Sequence, residues 1–109
     1  MLNSVNLVGR IVENPTLKKE ENGKKICYTT LAIPCNFKNK DGIYETDFID
    51  CILYSTIAET FCDYCKKGDL VGIKGILRTV YQKNEDRFSK KCMKVVVEKV
   101  SFLASRKED

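Results

Sequence analysis

The sequence predicts a single all-β domain, a five-stranded barrel carrying one helix between its third and fourth strands. Three observations predict it. The 109 residues suffice for one compact domain and little more. Segments rich in alternating or β-branched apolar residues recur along the chain, and only one stretch carries helical periodicity. Their order is three strands, one helix, two strands.

The first strand is Val5-Asn6-Leu7-Val8-Gly9-Arg10-Ile11-Val12, where Val5, Leu7, Gly9 and Ile11 share a face. Gly9 marks a bend or bulge there, and Asn14-Pro15 ends the strand. The polar stretch from Lys18 to Lys25 contains Asn22-Gly23, a strong turn dipeptide. The second strand runs from Ile26 to Asn36. Pro34 cannot donate to a ladder, so its end lies at an edge or a bend. Phe37 to Gly42 reads as a basic loop. The third strand, Glu45 to Tyr54, sends Ile49, Cys51 and Leu53 to one face and Phe48, Asp50, Ile52 and Tyr54 to the other.

The helix follows. Thr56-Ile57-Ala58-Glu59 has capping-box form, and Ile57, Phe61 and Cys65 with Ala58 and Cys62 make one apolar stripe. Lys66-Lys67-Gly68 supplies cations and a glycine for its C-terminus. The fourth strand, Leu70 to Tyr81, carries Gly72 and Gly75 where a barrel wall bends. A polar loop from Gln82 to Ser89 leads to the fifth strand, Lys91 to Leu103. This order is that of the OB-fold, expected to occupy residues 1–104, with 105–109 as a short charged tail.

Composition narrows the function classes. With 43% hydrophobic and 31% charged residues the chain is a globular domain rather than a disordered one. Neither a membrane-length apolar run nor a secretory leader is visible, so a cytoplasmic protein without membrane contact is expected. The net charge of +4 permits a polyanionic partner without demanding one.

Position says more. If Ile49, Cys51 and Leu53 fill the barrel, Phe48 and Tyr54 point outward, where exposed aromatics need a partner. Phe37 begins one adjoining loop and Tyr81 leads into another. Around them stand Lys38, Lys40, Lys66, Lys67, Arg78, Lys83, Arg87, Lys90 and Lys91. Rings interleaved with cations match the base faces and charged backbone of single-stranded nucleic acid. By themselves the residues equally allow Phe48 and Tyr54 to pack under a loop or in a subunit contact.

At this point the sequence resembles the bacterial and phage single-stranded DNA-binding protein family over nearly its whole length. Met1-Leu2-Asn3-Ser4-Val5-Asn6-Leu7-Val8-Gly9-Arg10 followed by Asn14-Pro15 resembles the family's start. Thr46-Asp47-Phe48-Ile49-Asp50-Cys51 resembles its third-strand motif. Ala58-Glu59 with Lys66-Lys67-Gly68-Asp69-Leu70-Val71 resembles its helix and helix exit. Gly75-Ile76-Leu77-Arg78-Thr79, Val95-Val96-Val97-Glu98 and Phe102-Leu103 resemble its remaining strands.

The resemblance implies single-stranded DNA binding without strong sequence preference, in replication, recombination and repair. It implies base-stacking roles for Phe37, Phe48, Tyr54 and Tyr81, and backbone contacts for Lys38, Lys40, Lys67 and Arg78. It also implies a homotetramer in which the first strand contributes to the dimer contact. Three departures stand out. Asp50 lies on the implied DNA face, where the family more often has an amide or basic residue. Arg78-Thr79-Val80-Tyr81 is one residue short before its aromatic, which turns Tyr81 away unless a bulge compensates. The family's acidic, aromatic-tipped tail has no counterpart in Ser105-Arg106-Lys107-Glu108-Asp109, leaving little handle for replication or repair proteins.

Other classes fare worse. A thiol or metal protein built on Cys62-Asp63-Tyr64-Cys65 lacks a second such pair and has no histidine to complete a zinc site. Its cysteines fall in the second half of the helix, away from the end that stabilises thiolate. All six cysteines are therefore expected reduced, and neither metal nor cofactor is expected. No catalytic constellation is visible, so the chain is not expected to be an enzyme. An OB-fold module binding RNA or a protein remains the alternative.

Overall fold

The computed structural model describes residues 2–83 and 89–106. Strand β1 (Val5–Ile11) is followed by a short β2 (Leu17–Lys19), then β3 (Lys25–Lys38) and β4 (Tyr44–Tyr54). Helix α1 (Ser55–Tyr64) leads to β5 (Leu70–Lys83) and β6 (Ser89–Ala104). The sheet order is β1-β5-β6-β4-β3-β2, and a further β1–β3 pairing closes the first five of these into a barrel. That closure is the expected OB-fold. β2, absent from the expectation, is a fully exposed three-residue edge that pairs only with β3 across the Asn22-Gly23 turn. Its polar Leu-Lys-Lys has no apolar period to betray it.

The core is the product of strand alternation. Cys27 and Leu31 of β3, Cys51 and Leu53 of β4, Val71 and Ile73 of β5, and Val95 and Val97 of β6 bury their side chains inward. Ile11 of β1 and Ala58, Phe61 and Cys65 at one mouth complete the cluster. Hence Cys27, Cys51 and Cys65 serve as small apolar filler.

The β-rich elements bend where the sequence marks them, though not always as expected. Gly75 sits at a register irregularity between Lys74 and Gly75, and an added Cβ would collide with the Val96 carbonyl across the ladder. Gly9 makes no bulge, since its pairing with β5 runs unbroken from Val5 to Arg10. Glycine is required there for close approach: a Cβ would lie 2.8 Å from the Ala32 carbonyl oxygen. Pro34 does fall at a bend, where the β3–β4 register shifts before Lys38. Phe37 and Lys38, expected in a loop, are the last residues of β3.

Helix α1 buries the expected stripe but neither end is capped as expected. β4 runs directly into it, Tyr54 occupies the N-cap in an extended conformation, and no side chain caps the first turn. Ser55 makes the corner with a φ of 56°, which leaves Thr56 already inside the helix and unable to close a capping box. At the other end Cys65 is extended and donates its N–H to the Phe61 carbonyl at 3.0 Å. Lys66 to Asp69 then form a separate turn, in which Gly68 takes a φ of 90°.

Candidate nucleic-acid interface

The β3–β4 register decides which side chains leave the barrel. Cys27 pairs with Leu53 and Leu31 with Ile49, all pointing inward, so the alternate pairs Tyr28–Ile52, Thr30–Asp50 and Ala32–Phe48 share the outer face. β6 and β5 extend that face sideways through Lys94 and Val96, then Arg78 and Ile76. Phe48 is 63% exposed and Tyr28 49% exposed. Ile52, flanked by Tyr28 and Val96, is buried and gives the surface an apolar floor. Tyr54 is half-buried, and the Lys24 ammonium stands 4.4 Å from its ring centroid.

Tyr28 is the residue that reasoning from sequence missed, together with the lysines around it. The Lys18 and Lys94 ammoniums lie 5.7 and 5.3 Å from its ring centroid. The ring opens onto a groove of about 410 Å³ lined by Glu13, Asn14, Thr16, Lys18, Tyr28, Thr29, Thr30, Asp50, Cys51 and Lys94. The signal was present. In β3, Cys27, Thr29 and Leu31 alternate with Tyr28, Thr30 and Ala32 just as the faces of β4 do.

The β3–β4 hairpin forms an arm beyond the barrel. Asn39 organises its tip: its carbonyl oxygen accepts from the Asp41 and Ile43 N–H groups at 2.9 and 3.0 Å, and its amide donates to Glu45 at 3.0 Å. Phe37, 75% exposed, stands on this arm with exposed Lys38 and Lys40. Tyr44 joins them, with the Lys38 ammonium 5.5 Å from its centroid.

The turn after the helix presents exposed Lys66 and Lys67. Buried Asp69 holds that turn by accepting from the Lys66 N–H at 2.9 Å. The Lys67 N–H donates to Asn14 Oδ1 at 2.8 Å, and Asn14 also lines the groove, so this turn stands at the groove's end. Arg78 pairs with Lys94 on the outer face.

Tyr81 is exposed but belongs elsewhere. The β5–β6 register is unbroken from Gly75 to Lys83, so Tyr81 follows Leu77 and Thr79 on the side opposite Arg78 and Val80. No bulge compensates for the missing residue, and Tyr81 is not brought together with Phe48, Tyr28 and Tyr54. Lys83 ends β5, and Arg87 lies outside the described residues.

The Cys62–Cys65 pair lies against the barrel core. Cys65 is buried, and burial pushes its thiol up. Burial and then a hydrogen bond with the Cys62 thiol push Cys27 of β3 up to about 12. Cys51, one strand away, is pushed up to about 12 by burial and then by Asp50. Such thiols stay protonated and are poor nucleophiles or ligands. All six cysteines are free. Among the described residues no group of three metal-ligating side chains is gathered.

A closed OB barrel whose outer face carries aromatic rings set among cations belongs to the class of single-strand nucleic-acid binders. The chain belongs to the single-strand binding protein family, whose profile matches residues 2–103. It is 36% identical over 103 residues to single-stranded DNA-binding protein B of Bacillus subtilis, covering 94% of this chain and 91% of that one. It is 40% identical over 107 residues to the single-stranded DNA-binding protein of Halalkalibacterium halodurans, covering 97% of this chain and 63% of the relative. Against the Enterococcus faecalis protein of the same name, 37% identical, it spans only 56% of the relative's length. In structure it is similar to the Plasmodium falciparum SSB in complex with ssDNA, with a TM-score of 0.80 at 22% identity over 94% of this chain and 96% of that one. That likeness establishes the shared fold.

Proposed function

We propose that the chain binds single-stranded DNA without strong sequence preference and protects it during replication, recombination and repair, with no catalytic step. The observation that carries this is the outer face, where Tyr28 and Phe48 stand exposed beside Lys18, Lys94 and Arg78. Each base stacked on such a ring contributes about 1–3 kcal/mol, and each phosphate neutralised adds a salt-sensitive increment. A duplex hides its base faces and offers only the second term. Phe37, Phe48, Tyr28 and Tyr54 are the stacking residues of this reading. Lys38, Lys40, Lys66, Lys67 and Arg78 are its phosphate contacts, and Lys83 and Arg87 are proposed with them on their sequence positions. The domain is assigned to 1–104 and the tail to 105–109.

The assembly proposed is a homotetramer acting in the cytoplasm. β1 pairs with β5 along its length but with β3 only at Arg10 and Ile11, so among the described residues one edge of β1 is open from Val5 to Val8. Beside it Val8 and Leu103 form an exposed apolar patch over Gly72. An unpaired edge next to an apolar patch suits a second copy. Among the described residues no helix is long and apolar enough to cross a membrane.

Competition binding with poly-dT, poly-U and duplex DNA at two salt concentrations tests the reading. Poly-dT should compete best, and its advantage over duplex should persist at the higher salt. Poly-U competing better than poly-dT would favour an RNA-binding module, and equal competition by duplex would remove the stacking argument.

A further inference from the structure

The groove on the proposed DNA face carries two carboxylates, Glu13 and Asp50, that base stacking and phosphate binding do not use, and Asp50 is the one on the β4 strand beside the aromatic face. Asp50 projects from β4 into the groove that Tyr28 opens onto. It is exposed, and its Oδ1 accepts a hydrogen bond from Thr30 Oγ1 at 2.9 Å. A carboxylate in a phosphate-binding groove opposes the function unless it meets something other than phosphate. Here its cross-strand partner engages one carboxylate oxygen, and the side chain lines the same groove as the Tyr28 ring. We infer that Asp50, oriented by Thr30, reads the edge of a base stacked on Tyr28 and favours cytosine over thymine at that one position.

The chemistry follows from donors and acceptors. A carboxylate only accepts hydrogen bonds, and cytosine presents an exocyclic N4 amine that donates. Thymine presents O4 at the corresponding place, and its single N3–H sits between two carbonyl oxygens that repel an approaching carboxylate. The ammoniums of Lys18 and Lys94, each within 6 Å of the Tyr28 centroid, move off the ring when a base stacks there and are then near enough to take the flanking phosphates, leaving the carboxylate to the base. The preference is local. It rests on the single-stranded DNA reading and modulates it without replacing it.

The test compares the dissociation constants for (dC) and (dT) oligonucleotides of equal length, at pH 8 to keep cytosine strands unfolded. The native chain, Asp50→Asn and Asp50→Ala are measured side by side. Because Asp50 is exposed, both variants retain the fold. If Asp50 reads the base, the ratio of the dT to the dC constant falls by roughly five- to tenfold in both variants, a span consistent with one base-specific contact. Thr30→Val, which frees the carboxylate to rotate, should lower the ratio by a smaller factor. If both variants strengthen dC and dT binding by the same factor, Asp50 merely repels phosphate and the inference is overturned. Failure of the native chain to bind either oligonucleotide would instead sink the single-stranded DNA reading itself.

Discussion

At the scale of single residues, the aromatic rings differ in how accessible they already are, and this sets what their removal does. Phe48→Ala and Tyr28→Ala should each weaken single-stranded DNA binding by about 1–3 kcal/mol with no change in the circular dichroism spectrum, since both rings are exposed. Tyr54→Ala belongs to the same range, and at both tyrosines the ammoniums near the ring, Lys24 at Tyr54 and Lys18 and Lys94 at Tyr28, must first move aside. Titrations by gel shift distinguish this from a packing role, in which the variants would unfold and bind normally per folded molecule. The thiols give a second expectation. Cys27 and Cys51, pushed up to about 12 by burial, stay protonated in the fold at a pH where the unfolded chain releases those protons. Their contribution to stability is therefore complete below about pH 9, the ordinary thiol value, and is lost as pH rises towards 12. Urea denaturation in reducing buffer across that window should show stability falling. Cys51→Ala should make the fall shallower even though it lowers stability at neutral pH.

At the scale of elements, the strands were largely legible and their ends were not. The alternation in Glu45 to Tyr54 correctly assigned inside and outside because one face of that strand must fill a barrel. The same alternation in Ile26 to Asn36 places Tyr28 outward, but the run of β-branched and small residues around it masks the period. The helix stripe was readable, but its caps were not, because β4 enters α1 with no loop and a corner at Ser55 has no sequence signature. β2 and its groove-lining Lys18 depend on pairing with β3 and carry no local pattern. The glycines expose how different two such residues are. Gly75→Ala forces a Cβ into the Val96 carbonyl where β5 bends, and should lower stability by about 3 kcal/mol in urea titrations. Gly42→Ala meets nothing within 4 Å and costs only the strain of its φ of 75°, about 1–2 kcal/mol.

At the scale of the whole molecule, the proposed tetramer should persist with and without dithiothreitol in light scattering, because all six cysteines are free. Val8→Glu, placed on the exposed patch beside the open edge of β1, should shift the mass towards smaller species while leaving the barrel folded. A monomer in the unsubstituted chain would contradict the assembly. The sheet order has a consequence for how the chain is made. β6 lies between β5 and β4, so until it has been synthesised the preceding strands form two ribbons, β5 with β1 and β4 with β3, whose sheets join only through the brief β1–β3 pairing. A ribosome releases β6 after every other strand, so the barrel cannot close before β6 has emerged. The apolar side chains of its interior stay open to chaperones until synthesis has passed Ala104. A chain stopped after Lys83 should accordingly show no cooperative unfolding transition, and nascent chains arrested there should remain sensitive to protease.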